Sequence, residues 1–115
     1  MINFMHWIYL IIAGLCEVVW ALGLKFSNGL SLNKPLESLV TCIFMILSLY
    51  LLAIAARQIP IGISYTVWVG IGTIGTFLGG VFILGDKVNS TQVAFFLMIV
   101  TGIIGLKFSS IISSN

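Results

Sequence analysis

Glu17 stands in GLCEVVWALGLK (residues 14–25), part of an apolar run long enough to cross a membrane. It is the group in that run best able to take up a proton or hold a cation. Insertion scales put an acidic residue near the centre of a membrane helix at about +2.5 to +3.5 kcal/mol. Counted from Phe4, Glu17 lies about 20 Å along a helix axis, too deep to reach the interface easily. It is therefore expected to face a protein interior or a wet cavity, as a proton or cation site. The alternative is a neutral acid hydrogen-bonded within the core. Gly14 and Trp20 lie three residues to either side, so all three fall near one helical face. Gly14 lets another group approach the backbone, and Trp20 brings an indole N–H donor and a flat apolar wall.

A second pattern runs through residues 61–84. Tyr65, Trp68, Gly72, Gly75 and Gly79 recur every three or four positions and form one stripe. Small stripes allow helices to approach closely, and the aromatic end could wall a flat cation by cation–π attraction. The alternative is an interfacial aromatic belt above ordinary packing glycines. The pair Gly79-Gly80 weakens a helix and is a candidate kink or hinge. Ser48 is a hydroxyl in an apolar run, able either to donate to a carboxylate across helices or to bond back to its own helix. Thr101, Gly105 and Ser109, with Gly102 alongside, read as a packing face between subunits. Lys107 either snorkels to the interface or joins an ion pair.

The elements that must position these residues follow from composition. The chain has 115 residues, 60% hydrophobic and 7% charged, against about 25% charged in a soluble domain. The reading is an all-α membrane protein. About 20 helical residues span a bilayer core, and four such runs fit: about 4–24, 35–56, 61–84 and 91–111. Together they make one four-helix domain over 1–115. SNGLSLNKP, RQIPIG and GDKVNS supply the turns between them. The first segment lacks a basic leader and a small-residue cleavage pattern, so it reads as a retained helix rather than a secretion signal. The net charge of +2, without a basic cluster, gives no reason to expect nucleic acid. Cys16 and Cys42 have neither CxxC nor His spacing, and His6 stands alone, so no metal, cofactor or enzymatic chemistry is expected.

If the helices alternate in direction, Arg57 and Lys107 share one side and Lys25, Lys34 and Lys87 the other. So even a split gives almost no orientation bias under the positive-inside rule. Such a chain can insert both ways up, and oppositely inserted copies can pair as an antiparallel dimer. One acid that cannot hold a proton and a cation together suggests exchange, and two such acids in a dimer would titrate as a coupled pair. A non-transporting membrane subunit is the competing class, but it gives no reason for Glu17, Trp20 and Trp68 together.

Over its whole length the chain resembles the small multidrug resistance transporters. The resemblance rests on GLCEVVWALGLKFSNG (14–29), IPIGISYTVWVGIGTIG (59–75) and GIIGLK (102–107). Trp20 after EVV, and GLK ending at Lys107, look like the guanidinium-exporting subtype. The resemblance implies a four-helix subunit in a dual-topology, antiparallel homodimer, a multi-pass protein of the cell's inner (plasma) membrane. It implies export of guanidinium in exchange for protons, with both competing at Glu17. Gly14, Trp20, Ser48 and Trp68 match the polar network that orients the acid, and Tyr65 an aromatic residue of the binding region. Gly79-Gly80 falls where the family bends its third helix, and the fourth helix mediates dimerisation. The alternatives within the resemblance are a quaternary-ammonium or multidrug cation exporter and one subunit of a heteromeric pair. The first loop, LSLNKPLES (30–38), is longer and more polar than the family pattern.

Overall fold

The fold was obtained as a computed structural model that describes residues 4–113; the ends of the 1–115 domain, residues 1–3 and 114–115, lie outside them. Four helices follow one another: α1 (Phe4–Phe26), α2 (Pro35–Ala55), α3 (Ile61–Phe82) and α4 (Ser90–Ser113). Each is long and apolar enough to cross a membrane. That uniform apolarity suits lipid as a solvent, because a helix satisfies its backbone hydrogen bonds internally.

Local chemistry sets the ends. α1 runs to Phe26, past the expected Leu24, and is closed by three consecutive left-handed residues, Asn28, Gly29 and Leu30 (φ 54°, 73° and 63°). The Gly29 N–H reaches back to the Leu24 carbonyl at 2.7 Å. Buried Ser27 accepts the Leu30 N–H at 3.0 Å. α2 opens on Pro35, where the missing N–H costs no helical bond. α3 starts after Pro60, with the Ser64 hydroxyl bonded to the Ile59 and Pro60 carbonyls, each at 3.1 Å. It stops at Phe82, two residues short of the expected end, because the chain turns through Gly85 (φ 75°). α4 begins with a reciprocal cap. The Gln92 N–H donates to Asn89 Oδ1 (2.8 Å), and the Asn89 N–H to Gln92 Oε1 (3.0 Å).

The molecule is a slab, 51 × 34 × 16 Å. α1 packs on α2 and α3, α3 carries α4, and α2 barely touches α3. Side-chain pairings give the directions. Gly14 faces Ile71, Gly72 faces Glu17, Gly75 faces Val18 and Gly79 faces Leu22, so α1 and α3 run parallel in nearly constant register. Gly23 meets Thr41 while Ala13 meets Ser48, so α2 runs antiparallel to α1. Gly70 against Ile103 and Phe77 against Phe96 make α4 antiparallel to α3. The core lies at one end: Leu10, Ala13, Leu52, Ala55, Ile59, Val67 and Trp68 are buried together. α4 buries none of its described residues within the subunit.

Candidate functional site

The glycine stripe of α3 decides where Glu17 goes. At Gly72, Gly75 and Gly79 a Cβ would collide with Glu17, Val18 and Leu22. With hydrogen at those positions, α1 settles into α3 along its length, and the Glu17 carboxylate lies against bare backbone at Gly72. Gly14 is the reciprocal notch on α1, filled by Ile71. Three glycines on α3 and one on α1 thus let the two helices approach more closely than side chains at those positions would allow.

Glu17 is half-buried and lines a cleft of about 450 Å³ together with Trp20, Gly72, Thr73, Thr76 and Asp86. Its Oε1 is buried and has no hydrogen-bond partner in the subunit; the same holds for Trp20 Nε1. A buried acceptor or donor left unmade costs about 1–3 kcal/mol. Both groups thus stand in the cleft wall with hydrogen-bonding capacity unused within the subunit. The cleft holds a carboxylate able to take a cation or a proton, an N–H donor, an aromatic wall, and hydroxyls from Thr73 and Thr76.

Ser48 lies elsewhere than a direct bond to the acid, and also elsewhere than a bond to its own helix. Fully buried on α2, it donates to the Ala13 carbonyl of α1 at 2.7 Å and accepts the Trp68 Nε1–H of α3 at 3.0 Å. By helix periodicity that carbonyl also takes the amide of Glu17. The chain Trp68–Ser48–Ala13 therefore ties three helices to the backbone turn beneath Glu17, and leaves the carboxylate itself uncommitted.

Tyr65 stands apart from this cleft. It is 55% exposed, its ring 5.6 Å from that of Trp68, and it lines a groove between α3 and α4 instead. Three residues cover about 300° of helix, so Tyr65 stands about 60° round from Trp68, on the side facing α4. Lys107 has no salt bridge among the described residues; its ammonium lies over the Trp7 ring, 5.6 Å from the centroid. Gly79 and Gly80 are buried, and α3 passes through both without a break. Among the described residues no group of His, Cys, Asp and Glu could hold a metal ion.

Sequence reasoning missed Thr73, Thr76 and Asp86. The two threonines share a face at an i, i+3 spacing within an apolar helix, and that signal was readable. Asp86 falls in the polar turn GDKVNS, and its one sequence signal is that the chain has only three acids in all.

A carboxylate seated between the first and third of four helices able to span a membrane, with an indole donor and an aromatic wall beside it, is the make-up of a small-cation site in a membrane protein. Comparison with known proteins narrows it. Residues 5–110 match the family described as Small Multidrug Resistance protein, and the chain belongs to that family. It is 49% identical over 106 residues to a guanidinium exporter of Escherichia coli O6:H1 (strain CFT073), covering 92% of this chain and 99% of that one. The guanidinium exporter of Escherichia coli K12 is 48% identical with the same coverage, and that of Yersinia pseudotuberculosis is 45% identical over 92% of this chain and all of its own length. The class is one of membrane transport rather than enzymes, and this is a multi-pass protein of the inner membrane.

Proposed function

We propose that the chain exports guanidinium across the inner membrane in exchange for protons, working as an antiparallel homodimer. The observation that carries this reading is the Glu17 carboxylate, which lines the cleft beside Trp20 while its Oε1, buried against Gly72, and the Trp20 N–H have no hydrogen-bond partner in the subunit. Relatives covering nearly the whole chain are named guanidinium exporters, which supports the choice of cation.

The chemistry is competition. Guanidinium is planar and carries only N–H donors, so a carboxylate can take it through two parallel bonds. A proton on Glu17 removes both the charge and an acceptor site. The acid therefore holds either guest, and leaving it bare and charged in lipid is costly. Trp20 fills space next to Glu17, which favours a small flat cation over a bulky one. Trp68, Ser48 and the Ala13 carbonyl hold the turn that aims the acid, while Gly79-Gly80 is the place for α3 to bend as the cleft changes sides.

Pairing has its own support. The slab is thin and none of the described residues of α4 is buried in the subunit; a Cβ at Gly102 or Gly105 would meet open space. The near-even charge split permits both insertions. In an antiparallel pair, each outward-open arrangement becomes inward-open when the two copies exchange roles.

Purified protein in liposomes tests the reading. An imposed proton gradient should drive guanidinium uphill, and a guanidinium gradient should move protons the other way. Movement of either without counterflow of the other would refute exchange. Transport of a quaternary ammonium ion with no guanidinium flux would instead place the chain with the multidrug exporters.

A further inference from the structure

The cleft has a second acid that the exchange mechanism leaves unused. Beyond α3 the chain folds back on the helix end: Ile83 and Leu84 both donate to the Gly79 carbonyl (2.8 and 3.2 Å), and the Asp86 N–H donates to the Gly80 carbonyl at 2.8 Å. Gly85, with φ 75°, permits the reversal. The Asp86 carboxylate then lies over Gly80, where a Cβ would stand 2.6 Å from Oδ2.

That placement puts Asp86 on two cavities at once. The inner one is the Glu17 cleft. The outer one, about 540 Å³, is lined by Lys25, Asn28 and Leu84 and opens beside the α1–α2 loop. Ala21, Thr76 and Asp86 line both, so the two cavities adjoin at these residues. Eight residues of α1 separate Glu17 from Lys25, about 12 Å of helix. The local field also matters: the C-terminus of α3 is the negative end of its dipole, an unfavourable place for a carboxylate. No salt bridge to Asp86 is formed among the described residues. A passing cation would relieve both charges.

We propose that Asp86 is the capture residue of the transport path. It draws the small monocation, guanidinium on the reading above, from water into the outer cavity, from which the cation passes along Thr76 to Glu17. This inference rests on that reading of the substrate. Exposed and hydrated, Asp86 binds weakly enough to release what it attracts, whereas Glu17 binds from within lipid depth. In an antiparallel pair each copy presents its Asp86 to the opposite face of the membrane, so both mouths carry one.

Initial guanidinium flux into proteoliposomes, measured against concentration at low and high ionic strength, tests it. Asp86→Asn keeps the side chain's size and the backbone bond to Gly80, so a merely structural role would survive it. Its KM should rise about fivefold at low ionic strength with the maximal rate unchanged, and the difference should fade near about 0.5 M salt. Asp86→Glu should restore the wild-type KM. A KM for Asp86→Asn equal to wild type at low salt overturns the inference. So does a fall in maximal rate that salt leaves untouched and Asp86→Glu leaves unrepaired. Absence of guanidinium flux in the wild-type protein would overturn the export reading and this inference with it, whereas flux with unchanged Asp86→Asn kinetics overturns this inference alone.

Discussion

The carboxylate of Glu17 rests against the bare backbone of Gly72, so closely that a single methyl group at Gly72 would overlap it. The acid and the glycine form one feature: α3 has no side chain at the point where α1 presents its charge. Gly72→Ala must therefore move either the carboxylate or the helix. Overpacking of a fitted interface costs about 1–3 kcal/mol, and here the flexible end that yields is the functional group. Guanidinium exchange in liposomes should fall tenfold or more, while the protein still purifies as a folded helical species. Normal exchange by Gly72→Ala would show that the carboxylate does not need this seat.

Two turns further along α3, packing can be separated from chemistry. Gly79 receives Leu22 rather than a charge. Gly79→Ala should lower thermal stability in detergent by about 1–3 kcal/mol and slow exchange, with little change in the guanidinium KM. A large KM change at Gly79 with unaltered stability would contradict the assignment.

Much of the architecture was legible because lipid allows so few solutions: a run of about twenty apolar residues has to be a helix. Helix ends were less legible. Three left-handed residues after Ser27 carry α1 on to Phe26, and Gly85 ends α3 early at Phe82. These shifts come from cap geometry, which hydropathy does not encode. Glu17, Gly14 and Trp20 could be grouped because a helix puts i±3 on one face. The partner of Ser48 could not be read, since it depends on how α2 slides against α1. Asp86 was missed for a related reason. Its nearness to the cleft comes from a loop folding back over Gly80, a contact that no periodicity announces.

Ser48 supports the acid through the backbone, and its removal should read out accordingly. Ser48→Ala leaves the Trp68 N–H buried without its acceptor and frees the Ala13 carbonyl from its interhelical donor. Interhelical hydrogen bonds in membranes average about 0.6 kcal/mol, with an upper range near 1.7. A stability loss of about 1 kcal/mol is expected in thermal unfolding. The guanidinium KM should also rise, because the turn below Glu17 loosens. Ser48→Thr keeps the hydroxyl and should retain more of both. If Ser48→Ala changed neither stability nor KM, the three-helix tie would have no role in positioning the acid.

Lys107 and Trp7 make a smaller prediction. The ammonium lies 5.6 Å from the ring centroid, joining the end of α4 to the start of α1, two helices whose backbones do not otherwise approach each other closely. A cation–π pair of this kind contributes about 0.5–1 kcal/mol when solvent reaches it. Trp7→Leu keeps apolar bulk but removes the ring face. A stability loss of that size, shared non-additively with Lys107→Met in a double-mutant cycle, is expected. Fully additive losses would mean that the two side chains are neighbours without attraction.

The pH dependence follows from which form of Glu17 holds the cation. On the proposed exchange, guanidinium needs the ionised carboxylate, and a proton converts that acceptor into a neutral acid. Lowering pH therefore removes binding-competent protein, and the apparent guanidinium KM should rise as pH falls. Once pH lies below the carboxyl pKa of the free site, one-proton competition gives about a tenfold rise per pH unit. Well above it the KM should level off, since the acid is already ionised. The proton released on binding is the same event seen from the other side: adding guanidinium to weakly buffered detergent-solubilised protein should acidify the medium near that pKa and release nothing far above it. Glu17→Gln cannot ionise, and it should neither release protons nor show the KM slope. A guanidinium KM independent of pH across the carboxyl's titration would mean that the two guests do not share Glu17.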